Sequence, residues 1–238
     1  MDRLEALGVK GGFRQRGGEI TRLETFTDAA FAFAVTMLVV AGGRVPGSYA
    51  ELMRSLQEIP AFAASFALIV MFWHGHVQWS RRFGLEDGRS TLLSTLLVFA
   101  ILVYIVPLKV LFGQMFAWMS GGRLGQPFPL ADAAELTRLF VVYGVGYTAM
   151  TGTLLLLNTH AYSRRAELRL DEREAFETRA TVWQWVLLGI PGPVSVALAL
   201  LTPPSIGMWS GFAYATLPIV MPLFGVLASR RAAAKRLS

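Results

Sequence analysis

The sequence predicts an all-α polytopic membrane protein with six transmembrane helices and both termini in the cytoplasm. Three observations support this prediction: the composition, six long apolar stretches and the placement of the basic residues. Of the 238 residues, 54% are hydrophobic and only 16% are charged, whereas soluble domains carry about a quarter charged residues. The mean hydropathy is +0.48. We therefore expect a single domain over residues 1–238, with a short cytoplasmic tail at 1–20, in the inner (plasma) membrane of the cell.

Six segments are long and apolar enough to cross a membrane, which takes about 20 residues in a helix. The predicted spans are 22–41, 60–79, 91–118, 136–160, 180–201 and 206–228. Proline interrupts the last two spans, since it removes a helical hydrogen bond and clashes with the preceding turn. Pro191 and Pro193 are expected to break the fifth span, and Pro218 and Pro222 the sixth.

The first predicted helix has a clear start signal. Thr21 followed by Glu24 matches a capping box, in which the hydroxyl and the carboxylate each satisfy a backbone amide of the first turn. The apolar part of this helix runs from Ala29 to Ala41. Because that part is short, Thr27 and Asp28 are expected within about one turn of the membrane interface or inside a helix bundle.

Basic residues predict the orientation, because cytoplasmic loops of membrane proteins are enriched in Lys and Arg. Most of the 22 Lys and Arg residues lie in the N-terminal tail, the loops after helices two and four, and the C-terminal segment. The opposite side is assigned only Arg44, Arg54, Arg123 and Arg138. An even number of spans also requires both termini on one side, which we expect to be the cytoplasm.

Composition argues against several classes of function. The chain has no cysteine, so it has no disulfide, no thiol nucleophile and no Cys-based zinc site. We find no Ser-His-Asp set, phosphate-binding glycine loop or close carboxylate pair, and expect neither an enzyme nor a cofactor. The net charge of +6 is assigned to cytoplasmic loops and lipid headgroups rather than to nucleic acid. The alternating charges of Ser163–Arg179 are interpreted as a solvated helical extension.

One stretch of the fourth helix superficially resembles the selectivity filter of ordinary potassium channels. It reads Val-Tyr-Gly-Val-Gly-Tyr over residues 142–147. The residue order differs from the Thr-Val-Gly-Tyr-Gly filter, and no pore helix and loop precede it. We therefore interpret Gly144 and Gly146 as sites where helices approach closely.

The candidate functional residues begin with a charged cluster where the first helix enters the membrane. Arg22, Phe26, Thr27 and Asp28 precede its apolar run, and charges at such positions are usually paired or line a polar pathway. Arg22 and Asp28 are six positions apart and point to different sides of a helix. Each therefore needs a partner elsewhere, in another helix, another subunit or water.

The second helix ends with Trp73, His74 and His76. A His-x-His pair suggests a metal site, but positions two apart on a helix diverge too far to hold one ion together. We expect no metal here. A hydrogen-bonding histidine that joins Trp73 in a network with Arg22 and Asp28 is the favoured interpretation.

A stripe of apolar residues follows on the first helix. Phe33, Met37 and Val40 recur at helical spacing, and Thr36 lies beside them. Such a stripe usually contacts lipid or another helix. If several copies of the helix surround an axis, it forms a hydrophobic constriction, which can gate by dewetting. Lys109, just after Pro107 on the third helix, is expected to extend to the outer interface.

The segment Arg22-x-x-x-Phe26-Thr27-Asp28 resembles the Arg-x-x-x-Phe-Ser-Asp signature of the transmembrane protein 175 family of potassium-permeable channels. Thr27 stands where that family usually has Ser, and Trp73 with His76 resembles the Trp-x-x-His pair that ends its second helix. The resemblance implies a homotetramer in the lipid bilayer, with helix one lining the pore. Phe33 then stands at the first constriction position, where the family typically has Ile or Leu, and Met37 and Val40 follow.

Three hypotheses for function remain. The first is a potassium-permeable cation channel that conducts potassium and other monovalent cations passively through a central pore. The second is a proton- or cation-coupled secondary transporter that uses Asp28 as its coupling group. The third is a membrane-embedded enzyme that uses His74 or His76.

Overall fold

The predicted set of six long apolar helices is confirmed by a computed structural model, which describes residues 8–41, 45–125 and 129–234. Within these residues the protein is a helical bundle. The bounds of its elements, in chain order, are β1 (Val9–Lys10), β2 (Phe13–Arg14), α1 (Arg22–Val40), α2 (Tyr49–Gln57), α3 (Ile59–Phe83), α4 (Gly88–Met119), α5 (Ala133–Ser163), α6 (Glu172–Gly189), α7 (Pro191–Leu201), α8 (Pro204–Gly207), a 3-10 helix (Ser210–Thr216) and α9 (Leu217–Ala234).

The structure interrupts the last two spans. The fifth span changes helix between Gly189 and Pro191, where α6 gives way to α7, as the prolines predict. The sixth span is broken earlier than expected, by the 3-10 helix Ser210–Thr216, and Pro222 lies inside the continuous helix α9. A single proline is tolerated there because membrane helices can satisfy the freed carbonyl locally.

Two short elements were not predicted. Strands β1 and β2 pair as an antiparallel hairpin, whose turn uses Gly11 and Gly12 at positive φ angles of 61° and 84°. Glycine adopts this backbone conformation without the strain of a side chain. Helix α2 has nine residues and is too short to span a membrane, so a search for apolar stretches of 20 residues passes over it.

An aromatic core joins α3, α5 and α6. The Phe72 ring stacks on Trp185 with centroids 6.1 Å apart and meets Tyr147 edge-on at 6.2 Å. The filter-like segment of α5 lies within this packing: a Cβ added to Gly146 would lie 2.3 Å from the Tyr104 ring. Tyr104 belongs to α4, so no side chain fits between α4 and α5 at Gly146. The interpretation of this glycine as a site of close helix approach is confirmed.

The end of the bundle that carries the β1–β2 hairpin is here called the hairpin end. Arg14 and Arg16 of the hairpin segment both reach Glu174 of α6, with nitrogen-to-oxygen distances of 2.7 Å. The Glu174 side chain is fully buried. The prediction of a solvated helical extension across Ser163–Arg179 is therefore wrong at Glu174, because two guanidinium groups neutralise this carboxylate beneath the hairpin. The preceding residues, 164–169, form turns rather than a helix.

A second ionic contact at the hairpin end joins α4 to α5. Asp87 caps the start of α4 through the amides of Arg89 and Ser90, and its carboxylate accepts hydrogen bonds from His160, at 2.8 Å, and Arg164. Burial alone would raise the pKa of Asp87, but these hydrogen bonds hold it well below its ordinary value. The carboxylate is thus charged at neutral pH and links the two helices.

Some of the basic residues that predict the orientation of the protein in the membrane are not described by the structure. Residues 1–7, Arg44, Lys235 and Arg236 lie outside the described residues. The cytoplasmic placement of the two termini therefore stays a prediction.

Candidate functional site

Helix α1 presents two different faces. On one face, residues at helical spacing are buried against α3 and α4; they are Glu24, Thr27, Phe31, Ala34 and Leu38. Ala34 and Leu38 have no exposed surface, so this face of α1 is fully covered by its neighbours at both positions. The candidate site consists of the residues that hold this buried face in place and of those on the opposite face of α1.

The start of α1 is capped as predicted by one half of the capping box. The Thr21 hydroxyl accepts the Glu24 amide at 3.1 Å. The other half is wrong, because the Glu24 carboxylate turns away from the cap and pairs with Nε of Arg81 in the last turn of α3, at 2.9 Å. Glu24 is 2% exposed, and a carboxylate buried to this extent is stabilised by a cationic partner.

Asp28 and Trp73 are brought together. The Trp73 indole N–H donates to Asp28 Oδ1 at 2.8 Å, so the motif of α1 is tied to α3 one turn further along from the Glu24–Arg81 pair. Thr27 is buried, and its hydroxyl donates to the Leu23 carbonyl of its own helix at 2.8 Å. These contacts occupy the side of α1 that packs in the bundle.

Arg22 and Phe26 are not part of this network. Both are exposed, Phe26 by 52%, and Arg22 has no ion pair or side-chain hydrogen bond within the described part of the chain. They lie on the face of α1 opposite to the buried face. Among the described residues their side chains have no polar partner, so this face is open to another subunit, to lipid or to water.

The two histidines of α3 point in different directions. His76 is fully buried, and its Nε2 bonds the Ser94 hydroxyl of α4 at 2.9 Å rather than Asp28. Its Nδ1 is buried without a hydrogen-bond partner among the described residues. His74 is exposed and bonds Gln78 on its own helix. The structure thus gives His76 a role in joining α3 to α4.

The apolar stripe of α1 continues the face that carries Arg22 and Phe26. Phe33 is 54% exposed and Val40 59%, and Thr36 between them is exposed with its hydroxyl bonded to the Ala32 carbonyl. Met37 differs from the prediction, because it is half-buried and packs against the core. We call Phe33, Thr36 and Val40 the exposed stripe.

Sequence reasoning missed two polar partners of α1. Arg81 was assigned only to a basic loop, although the first turn of one helix and the last turn of its antiparallel neighbour must lie at the same membrane face. Lys109 extends to the end of the bundle where α1 stops: its ammonium lies 2.8 Å from the Ala41 carbonyl and 3.0 Å from the Glu58 carboxylate, two partners that the prediction did not name. A lone lysine in an apolar helix signalled this contact, but its partners could not be read from spacing.

Comparisons with known proteins show that this sequence is similar to those of potassium channels. A family model described as "Endosomal/lysosomal potassium channel TMEM175" matches residues 22–107, which include α1, α3 and the part of α4 up to Pro107. A potassium channel of Marivirga tractuosa is 31% identical over 239 residues, which make up 94% of this chain and 94% of that protein.

A solved structure is similar over nearly the whole chain. It is the crystal structure of a variant of the potassium channel MtTMEM175 in complex with a nanobody–MBP fusion protein. The TM-score is 0.80 at 30% sequence identity, with coverage of 94% of this chain and 100% of that chain. The two folds therefore correspond over nearly the whole chain, and not merely at the motif.

Proposed function

This chain belongs to the TMEM175 family of potassium channels, and from that premise we propose that it is a potassium-permeable cation channel. Ions pass down their gradient through an aqueous path without a coupled substrate and without catalysis. The observation that carries this proposal is the exposed stripe of α1, which stands opposite to the face that fixes the helix in the bundle.

The proposed pore is shared by four identical subunits. In the described part of one protomer this face of α1 stays open, since Phe33 and Val40 are more than half exposed. Four copies arranged about an axis would enclose a path with these side chains inside. Arg22 at the start of the same face supports this arrangement, because a charged group on a purely lipid-facing surface is unfavourable.

The proposed constriction is hydrophobic and is formed by Phe33, with Val40 towards the C-terminal end of α1 and Met37 partly behind them. Helix α1 has 19 residues and is about 28 Å long at 1.5 Å per residue, which matches a hydrocarbon core of about 30 Å. Phe33 therefore lies near mid-membrane, where a ring of four aromatic side chains can exclude water.

The proposed setting is a cell's inner (plasma) membrane, with potassium and other monovalent cations as permeant ions. The six helices are long and apolar enough for a multi-pass membrane protein. With cytoplasmic termini, the hairpin end would face the cytoplasm, and Arg81, Arg82 and Arg164 would lie on that side, as the charge bias of membrane proteins favours.

The test is potassium flux into liposomes by the purified protein and two variants. Phe33→Ala is expected to raise flux or change the potassium-to-sodium preference by about tenfold, because it removes the bulk that excludes water from the path. Phe99→Ala on α4 is the matched control, since Phe99 is 65% exposed but lies on a different helix. Unchanged currents in folded Phe33→Ala would contradict the proposed constriction.

The alternative, a secondary transporter with Asp28 as its coupling group, predicts different behaviour. A transporter would show saturable flux that requires a second ion, and Asp28→Asn would abolish the coupling. In the proposed channel, Asp28→Asn weakens the contact with Trp73 and reduces assembly or gating, while the flux that remains stays uncoupled. Native mass spectrometry of the protein in membranes would separately test the count of four subunits.

A further inference from the structure

A single ammonium group joins three helices at the end of the bundle opposite to the hairpin end. Lys109 of α4 donates to the Ala41 carbonyl at the end of α1, at 2.8 Å, and pairs with Glu58 before α3, at 3.0 Å. The Lys109 and Glu58 side chains are only 16% and 17% exposed. Lys109 lies just past the residues matched by the family model, 22–107.

Helix electrostatics explains why a cation lies here. The last carbonyls of a helix have no partner in that helix and carry its negative dipole end. Helix α1 has no basic residue in its last turn, so Lys109 supplies the cation from a neighbouring helix. Glu58 is the N-cap residue of α3 and makes no side-chain cap hydrogen bond, which leaves its carboxylate available to Lys109.

This contact complements the restraints at the other end of α1. Near its N-terminus, α1 is held to α3 by the Glu24–Arg81 pair and by the Trp73–Asp28 hydrogen bond. Near its C-terminus, Leu38 packs in the core, and the Lys109 ammonium provides a polar restraint. Val40, the last residue of the exposed stripe, is adjacent to Ala41 in the chain.

We propose that Lys109 is a positioning residue of the pore, which fixes the C-terminal end of α1, and with it Val40, through the Ala41 carbonyl and the Glu58 carboxylate. The inference rests on the proposed function, because it assigns the stripe to the pore wall. Lys109 itself reaches α1 from α4, within the bundle, and does not touch the permeant ion. Its effect on conduction is transmitted through the position of α1.

The test uses spin labels and currents in the same variants. Since the chain has no cysteine, Val40→Cys places a label at the C-terminal end of α1 and Ala29→Cys places one in its N-terminal half. In the Lys109→Met background, the label at position 40 becomes more mobile and the label at position 29 does not. Open probability or unitary conductance changes by about 2- to 30-fold, the range that corresponds to a cation at a helix C-terminus.

Three further variants separate positioning from general instability. Lys109→Arg retains a cation and keeps both readouts near wild type. Glu58→Gln removes only the ion pair and has a smaller effect, and it replaces Lys109→Met as the test variant if the latter does not fold. Arg138→Met on α5 removes a positive charge from an exposed side chain and leaves both readouts unchanged.

The outcomes distinguish this inference from the proposed function. Wild-type protein that gives no passive potassium flux overturns the channel, whatever the labels report. Passive flux with unchanged label mobility at position 40 in Lys109→Met overturns the positioning role and leaves the channel standing. Increased mobility at position 40 with unaltered currents also overturns it, because the end of α1 would then move without consequence for conduction.

Discussion

Phe31 and Phe33 stand two positions apart on α1, yet the first is 4% exposed and the second 54%. The buried face of the helix combines apolar side chains that pack in the core with a charged group that has a partner on α3, as Glu24 has in Arg81. The opposite face carries large side chains that contact little else in the protomer. The comparison indicates that one face of α1 fixes the helix in the bundle and that the other face is left open for the pore wall that we propose.

The polar groups of α1 follow the same division. Asp28 and Glu24 are held by side chains of α3, whereas the Thr36 hydroxyl on the opposite face is satisfied within its own helix. A hydroxyl bonded in this way can border either lipid or water. Substitutions on the buried face should therefore reduce stability, and those on the other face should change conduction.

The largest expected difference is between the two phenylalanines. Phe31→Ala should lower the free energy of unfolding by about 3 kcal/mol or more, because it leaves a cavity between packed helices. Phe33→Ala should change it by less than about 0.5 kcal/mol, as is usual for an exposed position. Denaturant unfolding followed by far-UV circular dichroism measures both. Equal losses of stability would remove the distinction between the two faces.

A smaller effect is expected where α1 is hydrogen-bonded to α3. Trp73→Phe removes the donor to the Asp28 carboxylate and should lower the free energy of unfolding by about 2 kcal/mol, as for hydrogen bonds to charged groups. Trp183→Phe on α6 is the control, since Trp183 is 54% exposed. If Trp73→Phe proved as stable as this control, Asp28 would not be held by α3 in the way described.

The smallest of the three effects is expected at the start of α1. Glu24→Gln removes the charge that pairs with Arg81 and should destabilise the protein by about 1 kcal/mol, a modest amount because water reaches the partly exposed Arg81. High salt should reduce the difference from wild type. Glu19→Gln, at an exposed position just before α1, should have no effect. A Glu24→Gln protein as stable as wild type would show that packing alone holds this end of the helix.

Periodicity and composition were sufficient to predict the six helices, the cap at Thr21 and the helical spacing that groups Phe33 with Val40 on α1. They could not predict that Met37 lies half-buried. A helical wheel gives the direction of each side chain but not how far the neighbouring helices cover the surface of α1. The partners of Glu24, His76 and Lys109 were also missed. Each partner is supplied by another helix, and the rotation of that helix depends on packing that a single sequence does not report.

The most direct measurement of the central claim is the reaction of silver ions with single cysteines during potassium flux. Silver carries the same single charge as potassium and binds thiolates, and the wild-type chain contains no cysteine. We predict that silver blocks flux through Phe33→Cys and leaves flux through Phe99→Cys on α4 unchanged. Persistent flux through Phe33→Cys in the presence of silver would contradict a pore lined by the exposed stripe of α1.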